Sequence, residues 1–260
     1  DREAGVALYE WIEGEAVSAS DPEARRPGDV DQALVLLAKL HELRLTPGAK
    51  ALPPGSDPCF SAADLTAEIA GRRIRLGEVA EEHDSLQAFL LKEFDPALEE
   101  AAQRAARAYE AAGMDFDTAI PERECTLSPS DFGFHNARRR TDGSLVFLDF
   151  EYFGWDDPAK LTADILLHPG MVLSADEEAE FRQGLADINR EDKTYGARLS
   201  ALWSLFGLRW CLILLNEFLP ERWFRRAHAN GGRNRETAQA RQLDKSRAML
   251  HRVEEGKDEI

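Results

Sequence analysis

What this chain lacks narrows its chemistry before any motif is found. It has only three cysteines, Cys59, Cys125 and Cys211, widely spaced and without a CxxC pair. A disulfide framework and a zinc-thiolate site are therefore excluded, and a reducing compartment fits. The six histidines are scattered, with no HExxH or other paired spacing for zinc. No GxxxxGK[ST] occurs, which removes the P-loop nucleotide binders, and no GxSxG elbow occurs, which removes the hydrolases built on one. Positive charge is scarce too. The 32 Lys and Arg stand against 48 Asp and Glu, and the net charge of −16 is the opposite of the basic footprint nucleic acid requires. Such a surface would suit a cationic ligand, although acidic surfaces more often serve solubility. The most apolar region, Leu199 to Leu219, is interrupted by Arg209, Asn216 and Glu217. It reads as a buried helix rather than a membrane span, with Trp203, Phe206 and Trp210 at helical spacing as core. No secretory signal pattern opens the sequence, so the expectation is a cytoplasmic protein without a membrane or nucleic-acid partner.

A hydrophobic share of 43% is enough for a sizeable core, in one large domain or two small ones. Val6 to Ile12 reads as a short strand ended by Gly14, and Val30 to Leu43 as a helix from its apolar period. Residues 44–60, with Pro47, Pro53, Pro54 and Pro58, read as a long loop. Helices are expected from Ser61 to about Leu90, with a break near Asp84, and from about Pro96 to Ala112. Cys125 to Leu127 is a brief strand. Asp157-Pro158 is an N-cap followed by proline at the first helical position. Ser174 with Glu177 three residues on marks a capped helix to Ile188, and further helices are expected near 197–219 and 233–255.

The richest stretch runs from Ser128 to Glu151, SPSDFGFHNARRRTDGSLVFLDFE. Asp142-Gly143 is a two-residue hairpin signal. Counting outward from it puts Thr141 opposite Ser144, Arg140 opposite Leu145 and, without a bulge, Asn136 opposite Asp149. Facing residues of an antiparallel pair share one side of the sheet. An amide oxygen and a carboxylate would then converge where a hard cation such as Mg²⁺ is held. Asp131 lies five residues before Asn136. This is the spacing of a phosphoryl-transfer loop, in which an Asp receives the acceptor's hydroxyl proton and an Asn binds metal. Asp131-Phe132-Gly133 spells the metal motif of protein kinases but occupies the position of the catalytic loop, so the metal role passes to Asp149. The Arg138-Arg139-Arg140 run alternates faces on a strand and reads as solvated arginines, one of them paired with a carboxylate.

These residues resemble the aminoglycoside phosphotransferase and choline kinase-like family, whose loop reads H-G-D-x-x-x-x-N and is followed after a hairpin by [IL]-D-[FW]-E. Here the matching residues are Pro129-Ser130-Asp131, Asn136 and Leu148-Asp149-Phe150-Glu151, continued by Tyr152-Phe153-Gly154 and Asp157-Pro158. The likeness is specific around residues 125–168, and Pro129 stands where the family has histidine. The resemblance implies an α+β, predominantly helical fold, the C-terminal lobe of a protein kinase-like fold with a catalytic-loop β-hairpin. Residues 1–14 would be the last small-lobe strand and hinge, and residues 15–260 a helical large lobe carrying the loop at 125–151. It further implies ATP and Mg²⁺ as cofactors, with Asp131 catalytic and Asn136 and Asp149 on metal. The backbone of Glu10, Trp11 and Ile12 would bind adenine, Glu151 would help position substrate or metal, and Asp157 and Asp164 would brace the loop. His41, in Lys39-Leu-His41, reads as a packed structural histidine.

A complete kinase of this kind also needs a glycine-rich phosphate loop and a strand lysine ahead of the hinge. No GxGxxG precedes residue 14, and the first lysine is Lys39. The pattern therefore predicts a large lobe with most of the small lobe missing. The functional expectation is a phosphotransferase acting on a hydroxyl of a small molecule: an amino alcohol, an aminoglycoside or a sugar. A non-catalytic nucleotide-binding pseudokinase is the alternative, and a purely structural helical module the third reading.

Overall fold

The computed structural model describes residues 10–223 and 234–255. Its elements, in chain order, begin with β1 (Glu15–Ala16), α1 (Asp29–Leu43), α2 (Ala62–Ala80), α3 (Asp84–Phe89) and α4 (Asp95–Ala111). There follow β2 (Thr126–Ser128), β3 (Ala137–Arg139), β4 (Leu145–Phe147) and β5 (Gly154–Asp156). The chain continues with α5 (Pro158–Leu167), α6 (Ala175–Ile188), α7 (Tyr195–Leu214) and α8 (Arg235–Glu255). The architecture is α+β and mainly helical, as the sequence predicts.

The helices form where local signals and apolar period agree. Ser61 and Asp64 make a reciprocal capping box on α2, and Ser174 and Glu177 make another on α6. Asp157 accepts from the Ala159 amide while Pro158 takes the first position of α5. The expected break before Asp84 is present, but no loop separates α3 from α4. A π-helical turn, Leu90–Phe94, joins them and buries Leu90 and Phe94.

The core is organised around α7, which packs against α2, α4, α5 and α8. Tyr195–Phe218 is long and apolar enough to cross a membrane, yet 67% of its apolar window is buried inside the fold. Leu202, Leu205, Phe206, Leu208 and Cys211 are among its fully enclosed side chains, the behaviour of a core helix.

Two small antiparallel ladders hold the site. One is ordered β1-β3-β4, with Glu15 opposite Arg139 and Ala137 opposite Phe147. The other pairs β2 with β5, with Thr126 opposite Asp156 and Ser128 opposite Gly154. Together they are one long hairpin interrupted midway by two facing connections, residues 129–136 and 148–153. Both connections are thus clamped at each end by strand pairing. The buried Arg139 guanidinium donates to Asp29 at the start of α1 at 2.8 and 2.5 Å, and docks the hairpin on the helical body.

The hairpin register differs from the predicted one by one residue. Arg140, not Thr141, pairs with Ser144, its amide 2.9 Å from the Ser144 carbonyl. The Gly143 amide donates to the Arg140 carbonyl at 3.0 Å, and Gly143 alone in the turn adopts positive φ, +88°. This is a three-residue loop, a turn closed by a left-handed glycine. Asp142 explains the choice: its Oδ1 accepts from the Ser144 amide at 2.9 Å and hydroxyl at 2.7 Å, and the side chain stabilises the longer turn. Asn136 consequently faces Leu148, whose amide donates to the Asn136 carbonyl at 2.8 Å, rather than Asp149.

The predicted strand at 6–12 lies mostly outside the described residues, and residues 10–12 have no regular structure. The chain instead adds Glu15–Ala16, just past Gly14, to the hairpin edge.

Candidate active site

Asp131 sits at the centre of the first connection, and its backbone is tightly bent. The Phe132 amide donates to the Ser130 carbonyl across it at 2.9 Å, and Ser130 adopts φ of +63°. Ser130 is held in that unfavourable conformation from both sides: its amide donates to Ser128 Oγ and its hydroxyl to the Tyr152 carbonyl, each at 3.0 Å. Asp149 in the facing connection has φ of +65°, and Asp57 has φ of +47°. These three are the positive-φ residues other than glycine among the described residues. Such conformations cost of order 1–3 kcal/mol each and persist where the surroundings over-determine them. Phe132 supplies one anchor, buried and packed at a tilt against Phe147 of β4, ring centres 4.6 Å apart.

Two histidines converge on Asp131. His135 Nε2 lies 3.1 Å and His168 Nε2 2.9 Å from the same carboxylate oxygen, Oδ1. Their rings are stacked 4.2 Å apart, and Trp210 packs edge-on against His168 at 4.8 Å. His168 Nδ1 accepts the Gly170 amide at 3.1 Å, which leaves the proton on Nε2 and makes His168 a donor to Asp131. Hydrogen bonds from His135 and then His168 hold the Asp131 carboxyl well below the usual carboxylate range, and they outweigh its burial. Asp131 Oδ2 has no partner among the described residues. Gly133 makes the arrangement possible, since a Cβ there would lie 2.8 Å from His135 Nδ1 and 2.9 Å from Met171 Sδ.

Sequence reasoning missed both histidines. His135 sits four residues after Asp131, a separation with no regular spacing to betray it in a non-helical loop. His168 arrives from the end of α5, 37 residues away.

Asn136 is tied to the same loop. Its Nδ2 donates to the Asp131 carbonyl at 2.9 Å, which fixes the amide and leaves Oδ1 without a partner among the described residues. Asp149 is exposed, and its carboxylate also accepts no hydrogen bond from them. Oxygen donors left open in this way are what Mg²⁺ takes, so the two residues have the chemistry for that ion. The Tyr152 hydroxyl is pushed up by its hydrogen bond to Glu151 and by burial, with the charges of Glu151, Asp131 and Asp149 adding to the effect. Both connections therefore act on one tyrosine. Glu10 and Trp11 are exposed and Ile12 half-buried, and none of the three is among the residues that line the cavity beside Asp131.

Behind Asp131 opens a cavity of about 560 Å³, bounded by the 56–57 loop, Arg72 of α2, the start of α5, the 168–170 turn, α7 and α8. Its floor is an ion-paired network. Lys160 Nζ binds Asp156 at 2.7 Å and Asp164 at 2.9 Å, and Arg209 binds Asp164 at 3.0 Å and Glu68 at 2.8 Å. Burial alone would lower the Lys160 ammonium, but attraction to Asp156 and Asp164 overrides it and raises it. Beside this, Arg198 joins Asp157 to Asp192 at 2.9 and 2.8 Å. Asp157 and Asp164 thus brace the fold, as expected. His41 lies with Nδ1 3.4 Å from Thr126 Oγ1 at the base of the loop. Burial, then the neighbouring Arg44 charge, pull it down to about 4, so it is neutral at physiological pH, a packed histidine.

No protein-family model matches the sequence, and no curated protein matches it. Solved structures do share the fold. A Plasmodium vivax ethanolamine kinase superposes with a TM-score of 0.53 at 15% identity over 94% of this chain and 65% of its own. A choline kinase from Cryptosporidium parvum gives 0.50 at 11% identity over 94% of this chain and 71% of its own. The chain therefore spans about two thirds of the length of these neighbours. At such identities the likeness shows the fold: a protein kinase-like fold of the choline and ethanolamine kinase kind.

Proposed function

We propose that this chain, on the fold of the choline and ethanolamine kinases, belongs to a cytoplasmic phosphotransferase that moves the γ-phosphoryl group of ATP to a hydroxyl of a small molecule. The observation that carries the reading is the division of labour within Asp131. Two histidines occupy Oδ1 and keep the group ionised, while Oδ2 is free at the edge of a cavity large enough for a small molecule. A hydroxyl seated there is oriented by Asp131, whose Oδ2 takes its proton as the new oxygen–phosphorus bond forms and the γ-phosphorus separates from the ADP oxygen. Phosphoryl transfer asks mostly for positioning and charge stabilisation, so a strongly acidic carboxyl suffices. Mg²⁺, when bound, neutralises phosphate charge, and Asn136 Oδ1 with Asp149 would hold it. Glu151, next to Tyr152 at the cavity mouth, would help position substrate. The backbone of Glu10 to Ile12 would meet the adenine edge.

The test is phosphoryl transfer by the full-length protein with ATP, Mg²⁺ and a panel of hydroxylated metabolites. Product formation by wild type and not by Asp131→Asn supports the reading. Unchanged product formation in Asp131→Asn would sink it. Pro129, buried where the resembling family carries histidine, favours a second reading, a nucleotide-binding pseudokinase. Calorimetric titration with ATP and Mg²⁺ read together with the transfer assay separates the two, because both bind nucleotide and the pseudokinase forms no product with any acceptor.

A further inference from the structure

The charges around the cavity say what kind of acceptor it takes. Its carboxylates are Asp57, Asp131 and Asp164. Asp57 is held by Arg72 at 2.7 Å, and Asp164 is bound by both Lys160 and Arg209. A ligand ammonium would find those two already neutralised, and displacing Lys160 or Arg209 from Asp164 would leave a buried charge uncompensated. Asp131 is committed to the reacting hydroxyl.

The cations behave differently. Arg222, eight residues beyond the end of α7, and Lys245 of α8 both line the cavity, both are exposed, and neither forms an ion pair among the described residues. In a chain of net charge −16, uncompensated positive charge at one cavity runs against the background field. Two further lining residues carry buried polar atoms without partners among the described residues: the Trp210 Nε1 donor and the Gln242 Oε1 acceptor. Hydroxyl groups supply both complements, since each can accept and donate.

We infer that the acceptor is a hydroxylated anion, a sugar or polyol carrying a phosphate or carboxylate. Its reacting hydroxyl lies at Asp131 and its anionic group at Arg222 and Lys245. The inference rests on the phosphotransferase reading for the reaction, but the binding site it names can be tested without turnover. It runs opposite to the expectation raised by the acidic composition, which taken alone suits a cationic ligand.

The experiment measures binding first, by calorimetry on the full-length protein, with glucose 6-phosphate, gluconate, glucose and choline as probes. Phosphoryl transfer from ATP to each probe is then assayed separately. The expected result is binding of at least one anion, about tenfold or more tighter than glucose or choline, with the loss of roughly tenfold in Lys245→Glu and again in Arg222→Glu that one charged contact commonly carries. Both residues are exposed, so an unchanged melting temperature shows that the reversals leave the fold intact. Preference for glucose 6-phosphate over gluconate identifies phosphate as the group read, and the reverse identifies carboxylate. Equal or better binding of glucose or choline, no binding of either anion, or charge reversal without effect overturns the inference. The failures are distinguishable. Phosphorylation of choline in preference to the anions leaves the kinase reading standing and removes this one. Lys245-dependent anion binding with no transfer to any probe keeps this site and removes the kinase reading.

Discussion

Two sets of carboxylates lie within one small region of this molecule, and they are treated in opposite ways. On the floor of the cavity Asp156 and Asp164 project from the regular backbone of β5 and α5. They are buried, and each is engaged by a lysine or arginine at about hydrogen-bond distance. In the two connections above, Asp131 and Asp149 sit on bent backbone, are only partly buried or exposed, and keep oxygens with no partner among the described residues. Burial and pairing mark a group whose removal costs structure. Open oxygens on over-determined, strained backbone mark groups kept for something outside the protein.

That contrast can be broken from either side. The largest effect is expected at the loop: Asp131→Asn should lower the rate of phosphoryl transfer about 10²–10⁴-fold, the usual contribution of a positioned proton acceptor. Its melting temperature should fall by less than that of the floor variant below, because Asn gives up only the stabilisation that the two histidine bonds lend an ionised carboxyl. The floor should show the reverse. Lys160→Met leaves Asp156 and Asp164 short of a cation and should cost about 3–5 kcal/mol, read as a lower urea midpoint at unchanged m. A stable Lys160→Met protein, or an Asp131→Asn protein that is destabilised by as much, would erase the distinction between the two sets.

A subtler test moves a neighbour rather than a carboxylate. Gly133→Ala would place a methyl 2.8 Å from His135 Nδ1, so the imidazole must swing and Asp131 loses one of its two donors. The expected outcome is a fall in kcat of about 10–100-fold from misplacement of the reacting group, with KM for the acceptor nearly unchanged. If His135 merely fills space, Gly133→Ala affects stability and leaves the rate of the folded fraction alone.

Much of this was legible in the chain, and the gaps have physical causes. Helix caps at Ser61, Asp157 and Ser174 are local chemistry, so the sequence announces them. Asp131 and Asn136 are linked in space as their spacing implies, through the Asn136 amide on the Asp131 carbonyl. The register failed by one residue because Asp142 capped its own turn and drew it into the three-residue form, a competition the Asp-Gly signal does not reveal. The same ladder then gains length on one side: residues 129–136 face residues 148–153, so counting through the site could not have succeeded. The histidine pair was hidden for another reason. Its members meet only because α5 returns its last turn to the loop, a tertiary fact without a sequence period.

The smallest predicted effect separates the structural histidine from the site by pH. His41 is lowered from 6.5 to about 4 in the folded state, first by burial and then by Arg44. Between those values the unfolded chain binds a proton that the folded chain refuses, so stability declines as pH falls through that window and is flat above it. Asp131 shifts in the other sense relative to its own charge. Its carboxyl is depressed, so its contribution is present above the ordinary value of 3.8 and is lost only as pH falls below it. The two windows do not overlap. Because His41 is only half-buried, solvent screening reduces its share to about 1 kcal/mol. Urea midpoints measured from neutral pH down to about 4 should therefore fall modestly in wild type and less in His41→Gln, which cannot take up the proton. Asp131→Asn should follow the wild-type curve through that range. A His41→Gln protein with the wild-type slope would move the titrating group elsewhere and leave His41 without a part in the acid response.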